Sequence, residues 1–397
     1  MIFNAYRGAM TNITQIMMSL IKTSVCGIND TTISELSEED VKALYKLSKS
    51  HDLTHLLTSP IEKNKLISDE KILSAFQKQT FTAVYRYKGI EAELEALCNV
   101  LEDAKIRFIP LKGSVLRNYY PEPWMRTSCD IDVYVDNEQL EAAITALKDG
   151  LGYTEHERCA HDVSLFSEGG IHVELHFELI EDDRVNKATE ILSRVWDYTR
   201  AAEGYSYRYE MSDDMFYFYH IAHMMKHFEI GGCGVRSFLD IWVLNHLVEY
   251  DAEKRNDLLA RGDLSEFARG ALALSEVWFG NGTHTDLTLA MENYLIGAGA
   301  YGSLTNRATV NYAKKGSRFK YFLSRIWIPY DSLKNVYPSL TNKRWLTFFY
   351  QIRRWCRVFS KKDRKKLSNE IKATSKNSAD KTLKTENMFN ELGIKIK

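Results

Sequence analysis

The chain of 397 residues lacks most of the features that would fix its class at a glance. It has almost no net charge: 52 Lys and Arg stand against 53 Asp and Glu, a formal balance of −1. No global basic field draws it to nucleic acid or to an anionic membrane, because such binding needs many cationic contacts. Its cysteines are few and scattered. Cys26, Cys98, Cys129, Cys159, Cys233 and Cys356 form no C-x-x-C pair and no dense framework, which argues for free thiols in a reducing cytoplasm. No uninterrupted apolar run is long enough to span a bilayer. The apolar-leaning stretch from Ile13 to Ile21 is broken by Thr14, Gln15 and Ser19 and has no basic leader, so it reads as an amphipathic helix rather than a signal peptide. No internal repeat is found. What remains is an ordinary globular balance, 45% hydrophobic and 26% charged, on a chain long enough for two or three domains.

The periodicity divides the chain into a helical start, a short mixed section and a long helical remainder. Residues 1 to 100 read as helical. Ser37-Glu38-Glu39-Asp40 resembles a capping box ahead of Val41, Leu44 and Leu47, and Thr80 to Leu101 continues as a long helix. Strands are expected over Arg107 to Leu111, Asp130 to Val135, Asp162 to Ser167 and Ile171 to Leu179, with Gly169-Gly170 as a hairpin turn between the last two. Pro121-Glu122-Pro123 breaks a helix that starts at Ser114. Asn137 caps a helix running to Lys148, which Gly150-Leu151-Gly152 closes. After Asp182 the pattern is helical again: Met215 to Phe228, the loop Gly231-Gly232-Cys233-Gly234, then Val235 to Glu249. The expected organisation is an N-terminal helical region over 1–100, a catalytic core over 101–182, a mainly helical domain over 183–358 and a basic, flexible tail over 359–397, Lys-rich and poor in large apolar residues.

Chemistry concentrates in the mixed section. Strand side chains alternate, so Asp130, Asp132 and Tyr134 share one face while Ile131, Val133 and Val135 share the apolar one. The later strand repeats the division, with His172, Glu174, His176 and Glu178 on its polar face. If the two strands pair, Asp130, Asp132 and Glu174 converge. Three carboxylates at one spot repel each other unless a cation sits between them, and hard oxygen ligands suit Mg²⁺, with Mn²⁺ as its substitute. Two such ions can steady the attacking and leaving oxygens of phosphoryl transfer. A lone Asp-x-Asp is more often a solvated strand face; the Gly-Ser upstream and the Glu downstream give it weight. Gly113-Ser114 follows a strand and opens a helix, where backbone N–H groups and the Ser114 hydroxyl can meet nucleotide phosphates, though strand-to-helix turns are common. Lys112 either reaches a phosphate or lies exposed. Arg126 is assigned to the triphosphate because a guanidinium forks onto phosphate oxygens, with a surface Arg in a turn as the alternative.

These motifs resemble a family. Leu-Lys-Gly-x-x-Leu at Leu111–Leu116, Tyr120-Pro121, Arg126 ahead of Asp130-Ile131-Asp132-x-x-Val135, Gly152-Tyr153 and Glu174-Leu175-His176 are similar to the bacterial uncharacterised nucleotidyltransferase family of the DNA polymerase beta-like superfamily. The resemblance is strong over residues 100–180 and fainter to about 350, where the Asp213-to-Asp240 stretch with its histidines looks like the family's C-terminal helices. It implies an α+β fold: a small mixed sheet with flanking helices plus N-terminal and C-terminal helical regions. It implies that Asp130, Asp132 and Glu174 bind metal, that Glu174 is the candidate base, and that Gly113 and Ser114 hold phosphates. A Lys before the Gly and a long gap to Asp130 depart from many superfamily members.

Four outlying features complete the reading. His220, His223 and His227 share one helix face; such spacing can hold zinc, but with no paired Cys or Asp motif they are expected to line the cleft between helical and catalytic parts. His176 and His223 are expected to support the site rather than to do chemistry, and Arg236 to pair with Asp240 along a helix, a nucleotide contact being the alternative. Arg353, Arg354, Arg357, Lys361, Lys362, Arg364, Lys365 and Lys366 form a basic patch beside Trp345, Phe348, Phe349 and Trp355; RNA binding is conceivable there, but a solvated helix face is favoured. The functional expectation is Mg²⁺-dependent transfer of a nucleoside monophosphate from an NTP to a hydroxyl of a small molecule, sugar or protein. A non-catalytic nucleotide-sensing module and a toxin-type tRNA nucleotidyltransferase are the alternatives.

Overall fold

The computed structural model describes residues 2–28, 33, 35–180, 185, 187–300, 302–315, 327–330, 333, 337–340, 343–358 and 379–395. Among the described residues, four α-helices precede the sheet: α1 (Ile2–Val25), α2 (Glu38–Ser50), α3 (Thr58–Lys63) and α4 (Glu70–Asp103). Local signals set their starts. Ser37 caps α2 by accepting from the Asp40 N–H at 3.2 Å, and Asp69 caps α4 by accepting from Lys71 and Ile72 at 2.8 and 3.2 Å. Helix α4 therefore begins ten residues ahead of the expected Thr80, at a cap that lies outside the apolar periodicity.

The sheet follows: β1 (Phe108–Pro110), the one-turn helix α5 (Gly113–Leu116), β2 (Asp130–Val135), helix α6 (Leu140–Leu151), β3 (Thr154–Arg158), β4 (Asp162–Phe166) and β5 (His172–His176). Its order is β1-β2-β5-β4-β3. Of its four strand pairs, β2–β5 is parallel and the others antiparallel. The β2–β5 register sets Asp130 beside His172, Asp132 beside Glu174 and Tyr134 beside His176. Ile131, Val133, Val135, Val173 and Leu175 point to the opposite face and join Leu97 and Leu101 of α4 and Leu140, Ile144 and Leu147 of α6 in one core. Each such side chain contributes about 1.5–3 kcal/mol on burial. This fixes the register, because a slip by one residue would send the carboxylates into the core. Gly152 closes α6 with a φ of +67°, a left-handed cap that glycine adopts without a Cβ penalty.

Helix α7 (Ala188–Leu192) falls in the expected helical stretch, but two features depart from the expected pattern: strand β3 and a short hairpin of β6 (Thr199–Ala201) with β7 (Tyr209–Met211). The hairpin loop is held by the Glu102 carboxylate, which accepts from the Ser206, Tyr207 and Arg208 N–H groups at 2.6, 2.9 and 3.0 Å. Phe108 then donates to the Tyr207 carbonyl at 3.0 Å, so the edge of β1 is covered rather than open.

The remainder is helical: α8 (Asp213–Ile230), α9 (Val235–His246), α10 (Ala252–Arg261), α11 (Ser265–Phe279), α12 (Asp286–Leu295), α13 (Leu304–Lys315), α14 (Thr347–Val358) and α15 (Ala379–Glu391). Helix α8 is buried almost all round and is the centre of a second core. That core takes in Met17, Leu20 and Ile21 of α1 as well as Phe238, Phe267 and Phe279 of α9 and α11, so the N-terminal helices pack with the C-terminal ones. Residues 359–378 of the expected tail, with Lys361 to Lys366, lie outside the described residues. Beyond them α15 is ordered on α12 and α13, because Met388 and Phe389, with Leu392 just after, are buried there. The fold is thus α+β, a small five-stranded mixed sheet with flanking helices between helical terminal regions.

Candidate active site

Strand alternation and the β2–β5 register bring the predicted acids to one face of the sheet. They divide into two overlapping sets that share Glu174: Asp130, His172 and Glu174 in one, Asp132, Glu174 and His176 in the other, with ligand atoms all within 4.8 Å inside each set. His172 joins the site although the sequence motifs give it no role; its place two residues before Glu174 on a strand puts it on the same face. It is oriented by Ser164, whose hydroxyl is 2.6 Å from His172 Nε2.

Asp132 is the most constrained of the acids. Its Oδ1 lies 2.6 Å from Lys112 Nζ and 2.8 Å from His176 Nε2, and His176 Nε2 is also 3.4 Å from Glu174 Oε2. Burial alone would raise the Asp132 carboxyl, but Lys112 and His176 hold it far below the usual carboxylate range. Burial and Lys112 oppose a charge on His176; its bonds to Asp132 and Glu174 win and raise it above the ordinary imidazole value. Asp130 moves the other way: burial, then the charges of Asp132 and Glu174, push it up. An acid raised by two neighbouring carboxylates fits a site for a divalent cation, and carboxylate oxygens suit Mg²⁺ or Mn²⁺.

Lys112 reaches Asp132 from an unusual backbone. Its φ is +46° and its ψ −119°, a region that non-glycine residues seldom occupy and that costs on the order of 1–3 kcal/mol. At the next residue, Gly113, a Cβ would sit 3.0 Å from Ser128 Cβ, so a side chain there would push Ser128 aside slightly. Arg117 clamps this turn from inside, donating from Nε to the Gly113 carbonyl at 2.8 Å and from Nη2 to Ser128 Oγ at 2.7 Å. Burial and the nearby Arg126 push the Arg117 guanidinium down to about 10. The Ser114 N–H is spent on the Leu111 carbonyl at 3.1 Å, so the hydroxyl, not that N–H, is what Ser114 offers; its Oγ is buried without a hydrogen-bond partner.

Arg126 goes elsewhere than its position before the Asp-x-Asp suggests. Its Nε and Nη2 donate to the two oxygens of Asp240 at 2.7 and 2.9 Å, and Nη1 donates to the Thr127 carbonyl at 2.7 Å. Tyr120 donates to the same carboxylate at 2.7 Å. The guanidinium is thus committed to protein groups rather than presented to a triphosphate. The expected Arg236–Asp240 pair gives way with it: Arg236 Nη1 bonds to the Thr127 carbonyl at 2.9 Å and lies 3.3 Å from Asp52 Oδ2. Asp240 is 114 residues from Arg126, so no local spacing could reveal the partner.

Helix α8 lies over the acids. Tyr219 is buried with its hydroxyl unpartnered, and it shares an electrostatic environment with Lys112, Asp132 and Glu174. His223 feels the same Lys112 and Asp132, and burial, Lys112 and His227 keep it well below the ordinary imidazole value. His223 and His227 stack edge to face, with Nε2 atoms 3.2 Å apart, and His220 Nε2 is 3.3 Å from the Ser237 carbonyl. Sequence pattern marks Tyr219 as no more than helix packing; its neighbourhood with the acids arises from the tertiary fold.

An Asp-x-Asp strand beside a Glu-bearing parallel strand, next to a Gly-Ser turn and covered by a helical region, defines the nucleotidyltransferase class. A family model described as "Uncharacterised nucleotidyltransferase" matches residues 37–280, more than half of the chain, and the chain belongs to that family. The match spans the start of α2 to the end of α11, so it takes in the sheet, the hairpin and the helix over the acids. No curated protein and no solved structure matches the chain. Among the described residues no helix is long and apolar enough to cross a membrane.

Proposed function

We propose that the protein transfers a nucleoside monophosphate from an NTP to a hydroxyl acceptor and releases pyrophosphate. The observation that carries this reading is the β2–β5 register, which gathers Asp130, Asp132 and Glu174 with two histidines on one sheet face in a nucleotidyltransferase family member. Asp130, Asp132 and Glu174 would hold Mg²⁺ or Mn²⁺, which when bound neutralises charge developing on the phosphates. Lys112 and Ser114 then offer an ammonium and an uncommitted hydroxyl to the phosphate oxygens, while Gly113 allows close approach. Glu174 takes the proton of the acceptor hydroxyl as the new P–O bond forms and the bond to pyrophosphate breaks. Catalysis of this kind rests on positioning and electrostatics. Arg126 and Arg236 are not part of the phosphate site we propose. The acceptor is a small molecule, a sugar or a protein. Cys26, Cys98, Cys129, Cys159 and Cys233 are not in disulfides, which supports a reducing, cytoplasmic setting.

The test is labelling. Purified protein is incubated with NTPs labelled at the α-phosphate, Mg²⁺ or Mn²⁺ and cell extract. Transfer is expected from the native chain and should fall by about a hundredfold or more in Asp130→Asn, Asp132→Asn and Glu174→Gln with folding intact. Equal labelling by these variants would defeat the proposal. One observation favours a second reading, a nucleotide-sensing module: Lys112 and His176 already neutralise Asp132. Tight NTP binding by calorimetry with no product in any extract would select it.

A further inference from the structure

Large apolar side chains gather in the open at α14. Trp345 is 74% exposed and Phe349 61%, and Phe348 and Ile352 are exposed beside them. These four recur at spacings of three and four residues, so they form one strip along α14 and the turn before it. Trp327 extends the strip, its ring 6.4 Å from that of Phe348. The opposite face of the helix is already occupied. Leu346 and Tyr350 pack on the buried Leu333, Tyr337 and Leu340, and Gln351 donates to the Ile328 carbonyl at 2.5 Å. Helix α14 therefore cannot roll over to hide the strip without giving up that small core. Among the described residues nothing covers it. A contiguous apolar surface of this kind marks a place of contact with something else.

The charge around the strip indicates what that is. From Lys343 to Val358 the sequence has five cations and no acid, and it continues with Lys361, Lys362, Arg364, Lys365 and Lys366 against Asp363 alone. Arg344 and Arg353 are exposed near the strip, 5.1 Å over the Tyr330 ring and 5.6 Å over the Tyr337 ring. The whole chain stands at −1, so the pull on negative charge is local. A second copy offering the same strip would bring like charges together. A single-stranded nucleic acid stacks its bases on open ring faces, whereas Phe348 and Phe349 meet edge to face at 82° and Ile352 has no ring. A helix with Trp and Phe on one side and Arg beside them suits the headgroup level of a bilayer. There the rings sit between water and acyl chains, and the cations meet lipid phosphates.

We propose that α14 docks the protein on an anionic phospholipid surface, with Trp345, Phe348, Phe349 and Ile352 at headgroup level and Arg344 and Arg353 on the lipid phosphates. The helix lies on the membrane and does not cross it. The proposal is independent of the transferase reading, and either can fail alone. Flotation of the full chain tests it, with vesicles of phosphatidylcholine alone or mixed with phosphatidylglycerol. The chain should float with the mixed vesicles, stay behind with the neutral ones, and bind more weakly as salt rises. Phe348→Ser/Phe349→Ser should lower partitioning by about tenfold or more, and Arg344→Gln/Arg353→Gln several-fold, with circular dichroism native. Phe348→Leu/Phe349→Leu should keep most of the binding. Tyr85→Ser, at an equally exposed aromatic on α4, should leave it unchanged. The proposal is overturned if the chain floats with neither vesicle or equally with both, or if the Ser pair floats like the native chain. A dimer in lipid-free buffer that the Ser pair dissolves would give the strip to a second copy instead. A single-stranded RNA oligonucleotide bound through these residues, with no flotation, would give it to nucleic acid.

Discussion

Arg126 and Asp240 form a two-bond ion pair, at 2.7 and 2.9 Å, that is sealed from solvent and joins the loop before β2 to the middle of α9. The acids of β2 begin four residues after this arginine, so the pair fixes how the sheet sits under the helical region. Removing one partner of a buried pair strands the other charge, at a cost of about 3–5 kcal/mol. Asp240→Ala should lose that much stability in urea denaturation. The double variant Arg126→Met/Asp240→Leu should recover a large part of it. Losses that simply add in the double variant would show that the pair is not coupled.

The same carboxylate shapes the acid limb of stability. Burial works to raise Asp240, but Arg126, His220 and the hydroxyl of Tyr120 outweigh it and hold it below the ordinary value. A depressed folded value means that the contribution is present above the unfolded value of about 3.9 and disappears as pH falls through the folded one. Denaturation midpoints measured from neutral to strongly acidic solution should drop below about pH 4 in the native chain. Asp240→Asn should start lower and lose less on acidification. An identical acid slope in both would remove Asp240 from the account.

Lys112 is expected to compete with a divalent cation, because its Nζ occupies Asp132 Oδ1 at 2.6 Å. Lys112→Met should therefore bind Mn²⁺ more tightly, by about tenfold or about 1.4 kcal/mol, in isothermal titration. The same variant should transfer nucleotide poorly, having lost its phosphate contact. Unchanged Mn²⁺ affinity would mean that Lys112 swings clear at no cost.

A methyl group at Gly113 would crowd Ser128 Cβ at 3.0 Å. Gly113→Ala should displace the turn that Arg117 clamps, raise the KM for NTP several-fold and cost about 1–3 kcal/mol. Wild-type kinetics in Gly113→Ala would show that the turn does not approach the phosphates.

Much of the sheet is legible because its strands alternate. Ile131, Val133 and Val135 against Asp130, Asp132 and Tyr134 define β2 to the residue, and the same pattern around Glu174 gives β5. Strand β3 escapes such a reading because Thr154-Glu155-His156-Glu157-Arg158 is polar on both faces, as an exposed edge allows. The β6–β7 hairpin exists because Glu102, far back in α4, captures its loop, and short-range pattern carries no sign of that. The sharing of Glu174 between two ligand sets, and the diversion of Arg126 to Asp240, likewise depend on where helices and strands meet, which spacing along the chain does not encode.

Helix α1 packs on α2 and α3 and also on α11, so Met17, Leu20 and Ile21 share a core with parts of the chain made much later. During synthesis, then, α2 and α3 can pack on this helix early, but the flank that meets α11 stays open until Ser265–Phe279 has followed. Domains that emerge first usually fold first; here one flank of α1 waits for α11. A chaperone holding that flank, or a chain cut short before α11, would decide whether this protein matures or clumps.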